Sequence, residues 1–376
     1  MKKKGSELLN KASRIVVKVG TSTLTYPTGK LNLFQVERLV REIADLKHSG
    51  LEIVLVTSGA IGAGMGRMGL AQRPKTMPEK QALAAIGQGI LMHMYEKLFA
   101  EYGEVVAQIL LTKDDITHRE RYLNARNTLM TLLKMGAVPI INENDTVVVE
   151  EIKFGENDTL SALVAGLVDA DLLILLSDID GLYTDDPRKN PSAQLIQVVE
   201  EITPQIESLA GDPGSAMGSG GMHTKIRAAK IVCAMGIPMM VANGAAENIL
   251  RDIAAGENRG TLFIPRNHRI NAKKGWIAYA SKTSGEIWLD EGAQNAILEK
   301  GKSLLPSGIT RVEGNFRRGD VVRVMGSTGE IARGIVNYCS EDIEKIKGCQ
   351  SKAIINILGY KEDDEVIHRD NLTLRN

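Results

Sequence analysis

The runs RIVVKVG (14–20) and EIVLVTSG (52–59), with the amphipathic stretch FQVERLVREIADLKHSG (34–50) between them, decide the fold. The two outer runs are short, nearly continuous in apolar residues and rich in β-branched ones, which suits buried strands. The middle stretch repeats its apolar residues at helical spacing and ends in a glycine stop signal. A strand, a helix and a second strand in this order imply a right-handed crossover between parallel neighbours. Four further strand-like runs follow: VVAQILL (105–111), AVPIIN (137–142), LLILLS (172–177) and IPMMVA (237–242). Apolar strands alternating with helices require cover on both faces of the sheet. The expected fold class is α/β, a three-layer α/β/α sandwich with a mainly parallel sheet.

Ligands of such sheets gather beyond the carboxyl ends of the strands. The residues found there are Lys18 to Ser22 after the first run and Thr57 to Ala60 after the second. Asn142 to Asp145 follow the fourth, and Ser177 with Asp178 closes the fifth. Glycine, hydroxyl, amide and charged groups therefore cluster where a ligand would sit.

Composition narrows the function. The 376 residues are 43% hydrophobic and 24% charged, as in an ordinary globular chain that buries a sizeable core. Lys plus Arg and Asp plus Glu number 46 each, so the net charge gives no general attraction to nucleic acid or an anionic membrane. Three cysteines without metal spacing argue against a disulfide scaffold or zinc site and fit a reducing compartment. The basic start lacks a secretory apolar stretch, and no apolar run is long enough to span a bilayer, so a cytoplasmic location is expected.

Beyond about residue 265 the pattern changes. Residues 266–280 begin as a polar connector, and the following GEIWLD, DVVRVM and EIARGIVNY read as short strands of a small β-rich domain over 281–376. The first domain covers 1–265.

Several groups carry the chemistry. Lys18, at the end of an apolar strand, either snorkels out at a sheet edge or meets an anion at the sheet mouth. Gly20 behind it favours the second, because glycine lets backbone N–H groups approach phosphate oxygens. Ser58-Gly59 opens a glycine-rich turn that either exposes amides to an anion or simply turns the chain. Gly64 to Gly69 formally match a dinucleotide fingerprint, but they begin well past the strand end, where the required context fails. Ser219-Gly220-Gly221-Met222-His223-Thr224-Lys225 joins three glycines (counting Gly218) to a lysine and a helix start, the parts of a phosphate site, with a surface loop as the alternative. Asp145, Asn157 and Asp158 lie in runs of acids and amides that suit an ammonium group, lysines or Mg²⁺; Asp158 is alternatively a plain helix cap.

Seven segments, in order, resemble the amino acid kinase family: VVKVGTS (16–22), VTSGAIGAG (56–64), LLTKDDITHRERYLNARNTL (110–129), PIINENDTV (139–147), GENDTLSALVA (155–165), SDIDGLYTDDPRKNP (177–191) and GSGGMHTKIRAA (218–229). The tail segments 289–320, 331–338 and 366–372 resemble a PUA domain. The resemblance implies ATP with Mg²⁺ as phosphoryl donor and the side-chain carboxylate of L-glutamate as acceptor. It gives Lys18, Lys225 and Asp158 catalytic roles, with Gly20 and Gly59 supplying amides. Ser58, Gly59, Asp145 and Asn157 would meet the acceptor; Lys18, Gly20, Ser177, Asp178 and the segment Ser219, Gly220, Gly221, Met222, His223, Thr224, Lys225 would meet ATP. Glu156, Ser177 and Ser219 depart conservatively from the family pattern. Feedback inhibition by proline and a homo-oligomer, dimer or tetramer, are also implied. Two alternatives stay open: a relative with another acceptor, and an RNA-binding protein. Against the second, acids slightly outnumber bases in the tail.

Overall fold

The computed structural model describes residues 2–26, 30–70, 72, 74–148, 157–209, 221–265 and 272–374. They form two compact units, one of residues 1–115 with 124–269 and the other of 116–123 with 270–376.

The first unit holds an eight-stranded sheet of β1 (Arg14–Val19), β2 (Glu52–Val56), β3 (Val106–Leu111), β4 (Val138–Glu143), β5 (Leu172–Ser177), β6 (Val198–Val199), β7 (Met239–Asn243) and β8 (Gly260–Phe263). The strand order is β3-β4-β2-β1-β5-β7-β8-β6. The six strands from β3 to β7 in that order are parallel, as expected. β8 runs antiparallel to β7, and β6 pairs with β8. These last two were not anticipated, because strands of two and four residues are too short to show a period.

β1 is the switch point, since the chain winds from it to β2 on one side and β5 on the other. In register, Lys18 stands between Val56 and Leu175. Successive strand residues alternate faces. Ile15, Val17 and Val19 join a core with Val36, Leu39, Val40, Ile43 and Leu46 of the helix Leu33–His48. That helix starts where the Asn32 side chain accepts the Gln35 N–H and ends before Gly50, whose φ of 92° suits glycine. Lys18 lies out of phase with that set and meets the helix Asn157–Leu167.

The formal dinucleotide fingerprint, Gly64 to Gly69, forms the last turns of the helix Ala60–Met68, with Gly69 as its cap. A Cβ at Gly64 would stand 2.1 Å from the Leu83 carbonyl oxygen, and one at Gly87 would stand 1.7 Å from that of Ala60. Gly64 and Gly87 therefore let this helix lie directly on the helix Met77–Ala100. Gly87→Ala is expected to lower unfolding stability by about 3 kcal/mol, because neither backbone can yield locally. A denaturant midpoint close to the parent's would show that the two helices separate freely.

The second unit has a five-stranded sheet in the order β10-β9-β11-β12-β13. Its strands are β9 (Thr283–Leu289), β10 (Ile309–Gly314), β11 (Val321–Gly326), β12 (Gly329–Ile335) and β13 (Leu372–Leu374). They enclose a separate core that includes Ile287, Phe316, Val322, Val324 and Tyr338. Residues 116–123 group here for a local reason. The Trp276 indole N–H donates to the Ile116 carbonyl at 2.5 Å, and its ring lies 5.3 Å from that of Tyr122. Within the stretch read as a connector, Ala272–Gly275 and Trp276–Ala280 are helical, and Trp276 and Ile277 are buried. Among the described residues no helix is long and apolar enough to cross a membrane.

Candidate active site

Two polar clusters stand at the carboxyl ends of the central strands. The first centres on Asp158, the second residue of the helix Asn157–Leu167 and fully buried. Its Oδ1 lies 2.5 Å from Lys18 Nζ and its Oδ2 lies 3.5 Å from Lys225 Nζ. The Thr224 hydroxyl donates to Oδ2 at 2.8 Å. Both lysines are themselves nine-tenths buried. Burial pushes the Asp158 carboxyl up, but the Lys18 and Lys225 ammonium groups, with the Lys18 and Thr224 contacts, outweigh it; the net direction is down. Asp158 is thus held as a carboxylate between two cations, and its side chain is not spent on a helix cap.

Local structure explains how each group arrives. Lys18 is carried by β1, and Gly20 follows it. Lys18 Nζ lies 3.5 Å from where a Cβ on Gly20 would stand, an ordinary contact distance, so the backbone after β1 runs close beside the ammonium group. Lys225 and Thr224 sit in the first turn of the helix Met222–Ala234, whose capping residue is Gly221. Met222 is half-buried in that turn, and Gly221 and His223 are exposed. Ser219 and Gly220, expected to contact the nucleotide, lie outside the described residues, as does Glu156.

The second cluster is an amide network. Asn157 Nδ2 donates to the Thr57 carbonyl at 2.6 Å, to Ser58 Oγ at 2.9 Å and to Asn142 Oδ1 at 2.9 Å. Asn142 Nδ2 donates to Gln88 Oε1 at 2.9 Å, and the Thr57 hydroxyl meets the Tyr95 hydroxyl at 2.9 Å. Gly59, with a φ of 97°, turns the chain out of β2 and caps the helix that begins at Ala60. Its Cβ position would face the methyl groups of Thr21 and Thr25 at 3.9 and 4.0 Å, so the loops after β1 and β2 lie side by side.

The structure thus brings together Lys18, Asp158, Thr224 and Lys225, and separately Ser58 and Asn157. Asp145 lies in the turn after β4, half-buried. Ser177 ends β5 and donates to Asp178 Oδ1 at 3.1 Å; Asp178 itself is exposed. Among the described residues the Ser177 and Asp178 side chains make no hydrogen bond to either cluster. Sequence reasoning missed Thr57, Gln88 and Asn142 as members of the network. Thr57 and Asn142 were visible as polar residues ending apolar strands, whereas a glutamine within a helix carries no such signal. Among the described residues no three carboxylate, imidazole or thiol groups converge as a metal site.

Comparison with known proteins agrees with this architecture. The profile of the amino acid kinase family matches residues 13–243, and that of the PUA domain matches 285–358. The glutamate 5-kinase of Thermoanaerobacter sp. (strain X514) is 59% identical over 96% of this chain and 97% of its own. The glutamate 5-kinase of Moorella thermoacetica is 56% identical over 97% of each chain, and that of Geobacter sulfurreducens 50% identical over 98% and 99%. Among solved structures, the carbamate kinase from Giardia lamblia bound to AMP-PNP superposes with a TM-score of 0.51 at 18% identity, covering 68% of this chain and 99% of that one. That likeness concerns the fold. By sequence, the chain belongs to the amino acid kinase family and, within it, to the glutamate 5-kinases, with a PUA domain at its carboxyl end.

Proposed function

We propose that this chain transfers the γ-phosphoryl group of ATP to the side-chain carboxylate of L-glutamate, giving L-glutamyl 5-phosphate, the first step of proline synthesis. The observation that carries the reading is the buried Lys18–Asp158–Lys225 arrangement beside the switch point of the sheet. A carboxylate with an ordinary pKa of about 4.3 is ionised at neutral pH and needs no general base. One of its oxygens bonds to the γ-phosphorus while the bond from that phosphorus to the bridging oxygen breaks, and the electron pair leaves with ADP.

Both reactants are anions, so the obstacle is repulsion and charge on the transferring group. Lys18 and Lys225 supply two ammonium groups to that group, and Asp158 holds them in position. Gly20 gives the phosphoryl oxygens close access to backbone amides. Ser58, Gly59, Asp145 and Asn157 take the acceptor side, and Ser177, Asp178 and Gly221 to Lys225 take the nucleotide side. Mg²⁺ fits as a companion of the nucleotide, because the described residues offer no cage for it and Asp158 is committed to lysines. When bound, it offsets phosphate charge.

The test is ATP consumption with Mg²⁺ and L-glutamate in the presence of hydroxylamine, beside aspartate and acetylglutamate. Hydroxamate from glutamate alone is the expected result. Hydroxamate from another acceptor would keep the phosphoryl site and move the substrate; no hydroxamate from any of them would overturn the reading.

A further inference from the structure

We propose that Gln88 is a positioning residue for the acceptor substrate, acting through Asn142 on Asn157. The inference rests on the reading of Asn157 as a ligand of the acceptor. Gln88 is nine-tenths buried in the helix Met77–Ala100, one residue after the glycine that packs on the Ala60 carbonyl. Its neighbours leave it little freedom to move.

The orientation of each amide follows from one unambiguous donor. The Glu143 backbone N–H donates to Asn142 Oδ1 at 2.9 Å, so that atom must be the oxygen. Asn142 Nδ2 is then turned towards Gln88, which must present Oε1 to it. Asn142 Oδ1, fixed in this way, also accepts from Asn157 Nδ2, beside the Thr57 carbonyl and Ser58 Oγ. Three acceptors around Nδ2 leave Asn157 only one orientation. Its Oδ1 makes no hydrogen bond among the described residues and is the atom available to a substrate ammonium group.

Gln88 is costly where it stands. Asn142 is almost fully buried, and Gln88 Nε2 has no hydrogen-bond partner among the described residues. An apolar pair would fill this position between helix and strand without leaving a buried donor unmet. What the amide pair supplies that an apolar pair lacks is a fixed direction for Asn157.

The experiment measures KM for glutamate, KM for ATP and kcat in Gln88→Leu, Gln88→Glu, Asn157→Ala and the Gln88→Leu/Asn157→Ala double variant, with Tm for each. Gln88→Leu keeps the bulk and removes the acceptor; KM for glutamate is expected to rise about tenfold, with KM for ATP and kcat within about twofold. Gln88→Glu keeps an acceptor and removes the unmet donor, so KM for glutamate is expected to return to within about threefold of the parent even if Tm falls. In the Asn157→Ala background, Gln88→Leu is expected to add nothing further to KM for glutamate, because its effect passes through that residue. The proposal is overturned if Gln88→Leu leaves KM for glutamate unchanged, if all three constants shift together, or if Gln88→Glu is as impaired as Gln88→Leu. Asn157→Ala separates the two levels of argument: an unchanged KM for glutamate there removes the underlying site reading, whereas a raised one with a silent Gln88→Leu removes only this inference.

Discussion

Asp158→Asn is expected to lower kcat by about 10³-fold and to destabilise the folded chain by about 3–5 kcal/mol at neutral pH. The substitution keeps the size and shape of the side chain and removes its charge. Two buried ammonium groups, at 2.5 and 3.5 Å from the carboxylate oxygens, then face an uncharged amide. Removing one partner of a buried pair is harmful chiefly because the remaining charge stays desolvated. In catalysis the loss is one of placement, since neither lysine is any longer held towards the transferring group. The pH dependence has a definite sign. The Asp158 carboxyl is lowered from its ordinary value of 3.8 by Lys18 and Lys225 against the opposing effect of burial. A depressed carboxylate contributes stability that is fully present above the unfolded value and is lost as pH falls through the folded one. The parent should therefore lose this contribution below about pH 4. Asp158→Asn should lack that part of the acid limb. Denaturant unfolding between pH 7 and pH 2 reads both effects, and matching curves for parent and variant would remove Asp158 from the centre of the ion network.

For Lys225→Ala the expectation is a fall in kcat of about 10²–10³-fold, with KM for glutamate changed only a few-fold. The lysine touches Asp158 and stands one residue after Thr224, in the first helical turn beyond Gly221. Its amine acts on charge that develops as the phosphoryl group moves, so its loss belongs to the rate more than to ground-state binding. Stability should suffer less than in Asp158→Asn, because Asp158 keeps Lys18 and the Thr224 hydroxyl. Lys225→Arg is not expected to restore the rate, since a planar guanidinium cannot occupy the place of a compact ammonium group. Steady-state kinetics with both substrates varied, beside thermal unfolding, tests this. A near-parental kcat would exclude Lys225 from the chemistry, and a collapse of Tm would assign it a structural role.

The sheet was legible because its strands are buried on both faces. RIVVKV and LLILLS needed no partner to be read as strands, and β1 and β5 run over the residues expected. The other four parallel strands shifted by one or two residues at their ends, where turn geometry competes with apolar pattern. Lys18 was legible as a charged residue in an apolar strand, and Lys225 as a lysine after a glycine run. Gln88 was not legible, for its type is ordinary on a helix surface and only packing reveals that this face is buried. The glycines at 64–69 show the opposite case, in which a formal motif has a purely steric purpose at Gly64.

Local pattern and motif order thus determined the layered α/β architecture, the second β-rich unit, the family and the residue types of the phosphoryl site. These depend on burial period and turn chemistry, which short segments carry by themselves. Tertiary structure alone decided that Asp158 lies between two lysines, one 140 residues before it and the other 67 after it in the chain; they meet because β1 and two helices converge at one end of the sheet. The same holds for the Gln88–Asn142–Asn157 relay. The physical reason is that hydrogen-bond direction and charge separation are properties of distances between elements, and no segment encodes a distance to a partner it has not yet met.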